Sequence, residues 1–487
     1  MKEQQVLIGL EIHVALATQS KMFCGCSTAF GGRPNSQVCP VCLGLPGSLP
    51  VLNRRAVELG LAAALALEAE IYPRMQFERK NYHYPDLPKG YQISQYAAPM
   101  AERGRMVFTS AGGEDKAVRI RRVHLEEDAG KSIHAAGGTL LDFNRCGVPL
   151  VEIVTEPDLH APESTRAFLE QLRELLHRVG VSEVRMEEGE LRCDVNINVV
   201  GPRGRTEITE VKNLSSFRGV ERALRYEVAR HREAVAAGDS LYHETRHWDE
   251  DRQVTIPART KEESHDYRYF PDPDLPGVTV GQAWVRKIAS RIPETPRHRR
   301  QRLQREYGLS SYDAAVLVRD GQLADFFEET VSHGADPKEV ANWAMGEVSA
   351  YLNARGVTLE DLPAAPEDLA RLLQMIASGK ISGKIAKEVW LAMAGEGGDP
   401  EEIVSERGLS QISDDSVLEE LAEKVIGQNP DVVRDYLGGK EKAVGFLVGQ
   451  IMKETRGKAN PQLVNEKLRD SLEQLRERES DANSGPE

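Results

Sequence analysis

The sequence predicts an α+β fold, a mixed strand-and-helix region followed by helices alone. Three observations predict it. Short apolar or alternating runs bounded by turn residues recur through the first 292 residues. Only a few amphipathic helices interrupt them, without the strict strand–helix alternation of a doubly wound sheet. From Ile292 onward, helical periodicity repeats between Gly and Pro stops.

The strand-like runs are Val6–Leu10, Val118–Leu125, Val148–Val154 and Cys193–Val199. Arg54–Glu70, rich in Ala and Leu, reads as a buried helix. Ala161–Val179 spaces Phe168, Leu169, Leu172, Leu175, Leu176 and Val179 along one helical face, and Ser216–His231 is a charged helix with one apolar side. Stops at Gly308, Gly334–Pro337, Gly356, Pro363–Pro366 and Gly395–Pro400 divide the later helices. The expected organisation is a mixed domain over 1–292, a helical domain over 293–408, a small helical unit over 409–475 and a disordered polar tail over 476–487.

Composition narrows the class. At 40% hydrophobic and 28% charged residues the chain reads as a globular protein, with no apolar run long enough to span a membrane. The opening Met-Lys-Glu-Gln-Gln-Val-Leu-Ile lacks a signal peptide's features, so a cytoplasmic location is expected. A net charge of −14 leaves no overall basic field, so any RNA contact must be local.

Four of the six cysteines form two close pairs, Cys24-Gly-Cys26 and Cys39-Pro-Val-Cys42. Pairs on Gly- and Pro-bearing turns converge readily into four thiolates around a structural zinc, although four unligated cysteines have the same spacing. Cys146 and Cys193 read as small core residues.

A second constellation joins carboxylates to an imidazole. Glu11 and His13 lie two apart, which puts both on one face of a strand. Glu126, Glu127 and Asp128 follow a strand in H-L-E-E-D, Glu152 lies within P-L-V-E-I-V, and Asp194 lies within L-R-C-D-V-N. Carboxylates inside apolar strands are costly unless paired or metal-bound, and hard oxygen donors suit Mg²⁺ held with nucleotide phosphates. Salt bridges or edge-strand charges are the alternative for any one of them. Ala129-Gly130-Lys131-Ser132 mimics the end of a phosphate-binding loop, but Leu125 stands at the leading glycine and carboxylates fill the interval.

Two stretches combine aromatics, Pro and charge: Phe77–Tyr96, which holds Lys80, Asn81 and Tyr82, and His265–Pro276. Such composition suits aminoacyl or nucleotide contact, and equally a Pro-stiffened packing loop. Lys380, Lys384, Lys387, Lys440, Lys442, Lys453, Arg456, Lys458 and Lys467 could follow a phosphate backbone or simply face solvent.

Taken in order, G-L-E-I-H-V, M-F-C-G-C, C-P-V-C-L-G-L-P-G-S-L-P-V-L-N, F-E-R-K-N-Y-H-Y-P-D-L-P-K-G-Y, H-L-E-E-D-A-G-K, F-N-R-C-G-V-P-L-V-E-I-V-T-E-P-D, D-Y-R-Y-F-P-D-P-D-L-P and I-S-G-K-I-A-K-E-V resemble the GatB family, the B subunits of the tRNA-dependent amidotransferases. The resemblance spans nearly the whole chain. It implies a cradle domain, a helical domain and a YqeY-like tail that grips tRNA. It further implies ATP-dependent activation of the side-chain carboxylate of Glu-tRNA or Asp-tRNA. Ammonia from an amidase partner (GatA), assembled through a small bridging partner (GatC), then gives the amide. On this resemblance Glu11, His13, Glu126, Glu152, Asp194 and Glu210 form the Mg²⁺ and phosphate shell, with Glu126, His13 and Glu152 catalytic. Lys80, Asn81 and Tyr82 contact substrate or ATP, and Cys24, Cys26, Cys39 and Cys42 hold zinc. The chain departs from the family pattern at Ser215 and Glu190 and in the approach Arg205–Lys212, which leaves the roles of Glu207, Glu210 and Ser215 open. Competing readings are a non-catalytic tRNA-binding protein and a self-sufficient amidase. The second needs a nucleophile arrangement not found in the sequence.

Overall fold

A computed structural model describes residues 4–482 apart from 136, 202–203, 240, 261–265, 410–414 and 456–458. His265, Arg456 and Lys458 thus lie outside the described residues. The chain divides into two compact units, residues 1–297 and 298–487.

The N-terminal unit is built on a ten-stranded sheet. Its strands run in the order Val254–Thr260, Glu244–Asp249, Thr209–Lys212, Leu191–Gly201, Gln5–Ala15, Pro149–Thr155, Asp115–Glu127, Ala101–Thr109 and Glu70–Ile71, with Gly204–Arg205 as a short addition to Leu191–Gly201. Neighbours are antiparallel except Thr209–Lys212 and Glu244–Asp249, whose parallel pairing is bridged by the helix Phe217–Ala237. Each expected strand is present, three of them longer than their apolar runs and the fourth, Pro149–Thr155, shifted by one residue. Glu126 and Glu127, expected after a strand, end one instead, because pairing with Pro149 and Leu150 continues through them.

Alternation along the first strand decides which face is core. Val6, Ile8, Leu10, Ile12 and Val14 point to one side and are buried. Against that face pack the helices Arg54–Ala66, Pro162–Arg178 and Phe217–Ala237, in one continuous apolar cluster. The first of these stops short of the expected Glu70: Glu68 turns left-handed at φ 52°, and Glu70 pairs with Glu102 on the sheet edge. Phe217–Ala237 runs past His231 to a left-handed Gly238 at φ 82°. Against Pro149–Thr155 the strand Asp115–Glu127 carries an extra residue, Arg121, between Val154 and Thr155, and on the other side the Thr155 hydroxyl accepts the Leu10 N–H at 2.9 Å.

The C-terminal unit is helical, with one apolar cluster from Leu303 to Val404 and a second from Leu418 to Leu472. Ile292, where composition changes, still packs on the N-terminal core. The last helix, Pro461–Ala482, continues through Arg476, where composition predicts a disordered tail. Arg476-Glu-Arg-Glu lacks apolar residues but consists of strong helix formers, so it prolongs a helix already anchored by Leu468 and Leu472.

Candidate active site

The sheet face opposite the helices is polar. Register fixes what meets there: His13 lies opposite Glu152, Glu152 opposite His124, and Glu11 opposite Asp194. The result is a row across three adjacent strands. His13 Nε2 sits 3.3 Å from Glu126 and 3.5 Å from Glu152, and His124 Nε2 sits 3.0 Å from Glu152. One ligand atom from each of His13, Glu126 and Glu152 falls within 4.8 Å of the others.

Electrostatics couples the row. Burial works against a charged His13, yet its contacts to Glu126 and Glu152 prevail and push it up to about 10. Burial likewise opposes ionisation of Glu152, but His124 and His13 hold its carboxyl well below the usual range. Burial also opposes ionisation of Glu126, which is nevertheless lowered, chiefly by His13. Glu11 behaves oppositely. Burial first, then the neighbouring Glu152 and Glu210, push its carboxyl up, although Asn196 donates to it at 2.9 Å.

Asp194 and Glu210 complete the expected set with their own partner. Lys212 lies against Asp194 and 3.0 Å from Glu210, whose other oxygen accepts the Thr245 hydroxyl at 2.8 Å. The two departures fall elsewhere. Ser215 is exposed, and Glu190 pairs with Arg185 at 2.7 Å. Glu207 is exposed too.

Lys80, Asn81 and Tyr82 arrive on and just after the strand Glu78–Asn81, which pairs with Tyr91–Ser94 and with Phe270–Pro271. Ser94 of this small sheet donates to Glu126 at 3.2 Å. Lys80 Nζ lies 5.0 Å from the Tyr267 ring centre and 5.7 Å from that of Tyr82. Asn81 donates to the Arg268 carbonyl at 2.9 Å, where Arg268 is left-handed at φ 46°. Burial and then Glu126 push the Tyr82 and Tyr269 hydroxyls up. Asn81, Tyr82, Lys212, His247, Tyr267 and Arg268 help line a cavity of about 630 Å³. A volume of that size takes a nucleotide or an aminoacyl end.

The cysteines converge as well. One sulfur from each of Cys24, Cys26, Cys39 and Cys42 lies within 4.8 Å of the rest. The Cys39 N–H donates to the Cys42 sulfur at 3.2 Å. A hydrogen bond with Cys24 is the largest influence drawing the Cys42 thiol down to about 4, whereas burial and Cys39 push Cys26 up to about 11. Cys146 and Cys193 are buried, and Cys146 donates to the Cys42 carbonyl at 3.3 Å.

Sequence pattern alone does not single out His124, Lys212 or Tyr269 for this face. For His124 a signal exists: it precedes Glu126 by two, so a strand places both on one side.

A mixed sheet with an acidic, histidine-bearing face and a four-cysteine knuckle, followed by helices, matches a known class: residues 6–286 fit the GatB/GatE catalytic domain, and residues 325–472 fit the GatB domain. The second match begins well before Leu409, so that module includes part of the helical region. Over 483 residues the chain is 51% identical to the B subunit of the aspartyl/glutamyl-tRNA(Asn/Gln) amidotransferase of Carboxydothermus hydrogenoformans, covering 98% of this chain and 100% of that one. It is 50% identical to the proteins of the same name from Caldicellulosiruptor saccharolyticus and Moorella thermoacetica, covering 97% and 96% of this chain and 100% of each relative. The chain belongs to the GatB family, the B subunits of the aspartyl/glutamyl-tRNA(Asn/Gln) amidotransferases.

Proposed function

We propose that this chain activates and amidates the side-chain carboxylate of Glu-tRNA(Gln) and Asp-tRNA(Asn) within a multisubunit amidotransferase, giving Gln-tRNA(Gln) and Asn-tRNA(Asn). The row of Glu126, His13, Glu152 and His124 across the open sheet face carries this reading. A carboxylate resists attack by ammonia. Phosphoryl transfer from ATP converts it to an acyl-phosphate, which ammonia from the amidase partner then displaces as phosphate leaves. Magnesium, when bound, supplies charge neutralisation between the phosphates and the acceptor oxygen.

The residues present fit such a cation. Glu11 is pushed up by burial and then by Glu152 and Glu210, so a cation placed among these carboxylates would relieve their repulsion. Glu11, Glu126, Glu152 and His13 would hold it, with Asp194 and Glu210 positioned by Lys212. Lys80, Asn81 and Tyr82, beside the cavity, are placed to orient ATP or the aminoacyl end. The four cysteines fit a structural zinc, because all four tetrahedral positions are filled and none is left for substrate.

The partners of this reading are the amidase (GatA), the small bridging protein (GatC) and the mischarged tRNA, met in the cytoplasm where tRNA is charged. No helix among the described residues is long and apolar enough to cross a membrane. Several basic residues of the C-terminal unit are tied into surface ion pairs, Lys387 with Glu347 and Lys380 with Glu401. Such exposed pairs are weak enough to exchange for phosphate.

The test is ADP release by the chain copurified with its partner proteins, with and without mischarged Glu-tRNA. Release is expected only with the mischarged tRNA, and Glu126→Ala is expected to lower it about 100-fold or more, the scale of losing one transition-state charge stabiliser. Unchanged release in the variant removes Glu126 from the site. No tRNA-dependent release from a folded, tRNA-binding complex favours a non-catalytic binding role.

A further inference from the structure

Lys21 is fully buried at 0% exposure, yet no carboxylate among the described residues pairs with it. Its ammonium donates to the Gln37 carbonyl at 2.7 Å and the Phe143 carbonyl at 3.3 Å, and its third contact is the Cys42 sulfur at 3.8 Å. A buried cation is tolerated only where an anion answers it. Two carbonyl dipoles solvate part of the charge, and of the three groups bonded to the ammonium only the sulfur can carry a full negative charge, since the nearby Glu127 carboxylate is taken by Lys89. A neutral thiol would not serve. A thiolate would, and four thiolates around a divalent ion leave two surplus negative charges.

We propose that Lys21 is the counter-ion of the metal–thiolate centre formed by Cys24, Cys26, Cys39 and Cys42, a positioning residue that sets how tightly the centre holds zinc. This rests on the zinc reading of the four cysteines. The bound centre carries more negative charge than the metal-free thiols, so a fixed cation beside it favours the loaded state. Partners behind the ligands of metal sites act on this scale, about 10- to 100-fold in affinity.

Lys21 also joins the centre to the catalytic face. Its Phe143 contact lies on the segment that leads into Pro149–Thr155, the strand of Glu152. Around it, the Met22 N–H donates to the Gly147 carbonyl at 2.8 Å, and Gln37 N–H to the Asn144 side chain at 2.9 Å. Gly147 N–H in turn donates to the Asp128 carbonyl at 2.8 Å, at the end of the strand that carries Glu126. The knuckle is therefore seated on the chain entering and leaving the two catalytic strands, with the lysine between.

The full chain as wild type, Lys21→Gln, Lys21→Met and Lys21→Arg would be loaded with zinc or cobalt and competed against a chromophoric chelator. Folding is checked by circular dichroism. Gln still donates to the carbonyls but is uncharged, so it separates charge from hydrogen bonding. Gln and Met are expected to lose about 10- to 100-fold in metal affinity. Their sulfur-to-cobalt charge-transfer band should move to longer wavelength, because the thiolate electrons lose their cation. Arg is expected to stay near wild type on both counts. Wild-type affinity and an unmoved band in folded Gln or Met variants would overturn the proposal. A wild-type chain that takes up neither zinc nor cobalt overturns the zinc reading itself.

Discussion

The proton on His13 belongs to two carboxylates at once. While Glu126 and Glu152 hold it, the imidazolium offers no lone pair, and a cation that draws those carboxylates away frees one. Glu227 shows the same logic used for stability. It is fully buried, accepts from Arg230 at 2.7 Å and from the Thr255 hydroxyl, and lies 3.3 Å from Arg246 and 3.4 Å from His231. Burial opposes its charge, yet His231 and Arg230 draw it from 4.5 to about 2. Because the folded value lies below the unfolded one, its contribution is present in full above about pH 4.5 and is lost as pH falls toward 2. The shift corresponds to about 3 kcal/mol. Urea unfolding of wild type should weaken by that amount across the window. Glu227→Gln should lose a similar amount at pH 7 and show a flatter acid limb. An equally steep limb in the variant would assign the acid sensitivity to other carboxylates.

Among the elements, the Pro149–Thr155 strand bears most on the site, because it holds Glu152 between His13 and His124. Its pairing with Gln5–Ala15 ends at Val154, and the Leu10 N–H just beyond goes to a hydroxyl instead of a carbonyl, so Thr155→Val strands a buried donor. A cost of about 1–3 kcal/mol is expected in urea unfolding, with Thr155→Ser restoring most of it. A Val variant as stable as wild type would show that the N–H finds another acceptor. At this scale much is legible in the sequence. Glu11 and His13, two apart in an apolar strand, announce a shared polar face, and the C-x-C and C-x-x-C spacings announce the cysteine cluster. His124 escapes because its role depends on which residue of a distant strand stands opposite, a register no local pattern reports. Lys212 and Lys21 escape for a related reason. Lysines read as solvent-facing by default, and only the folded chain shows the carboxylates beside Lys212 and the carbonyls and sulfur around Lys21. The early stop of Arg54–Ala66 comes from pairing of Glu70 with the sheet, a tertiary contact that overrides propensity.

Across the whole molecule, two units each own a core, and the C-terminal one draws its apolar clusters entirely from Leu303 onward. Residues 298–487 expressed alone are therefore expected to be helical by circular dichroism and to melt cooperatively. A fragment without a cooperative transition would show that this unit needs the rest of the chain. The change at Ile292 is visible in composition, whereas the ten-strand order is not, since it is set by pairings between segments far apart in sequence.

That order has a consequence for how the protein is made. Gln5–Ala15, the earliest in sequence of the sheet's strands, is central in it, and its two neighbours are Pro149–Thr155 and Leu191–Gly201. At ribosomal elongation rates its second partner follows about 10–40 s later. Throughout that interval an apolar strand lacks at least one neighbour, open to pairing with any nascent chain nearby. The segment that founds the acidic, histidine-bearing face is thus the one most in need of shelter during synthesis.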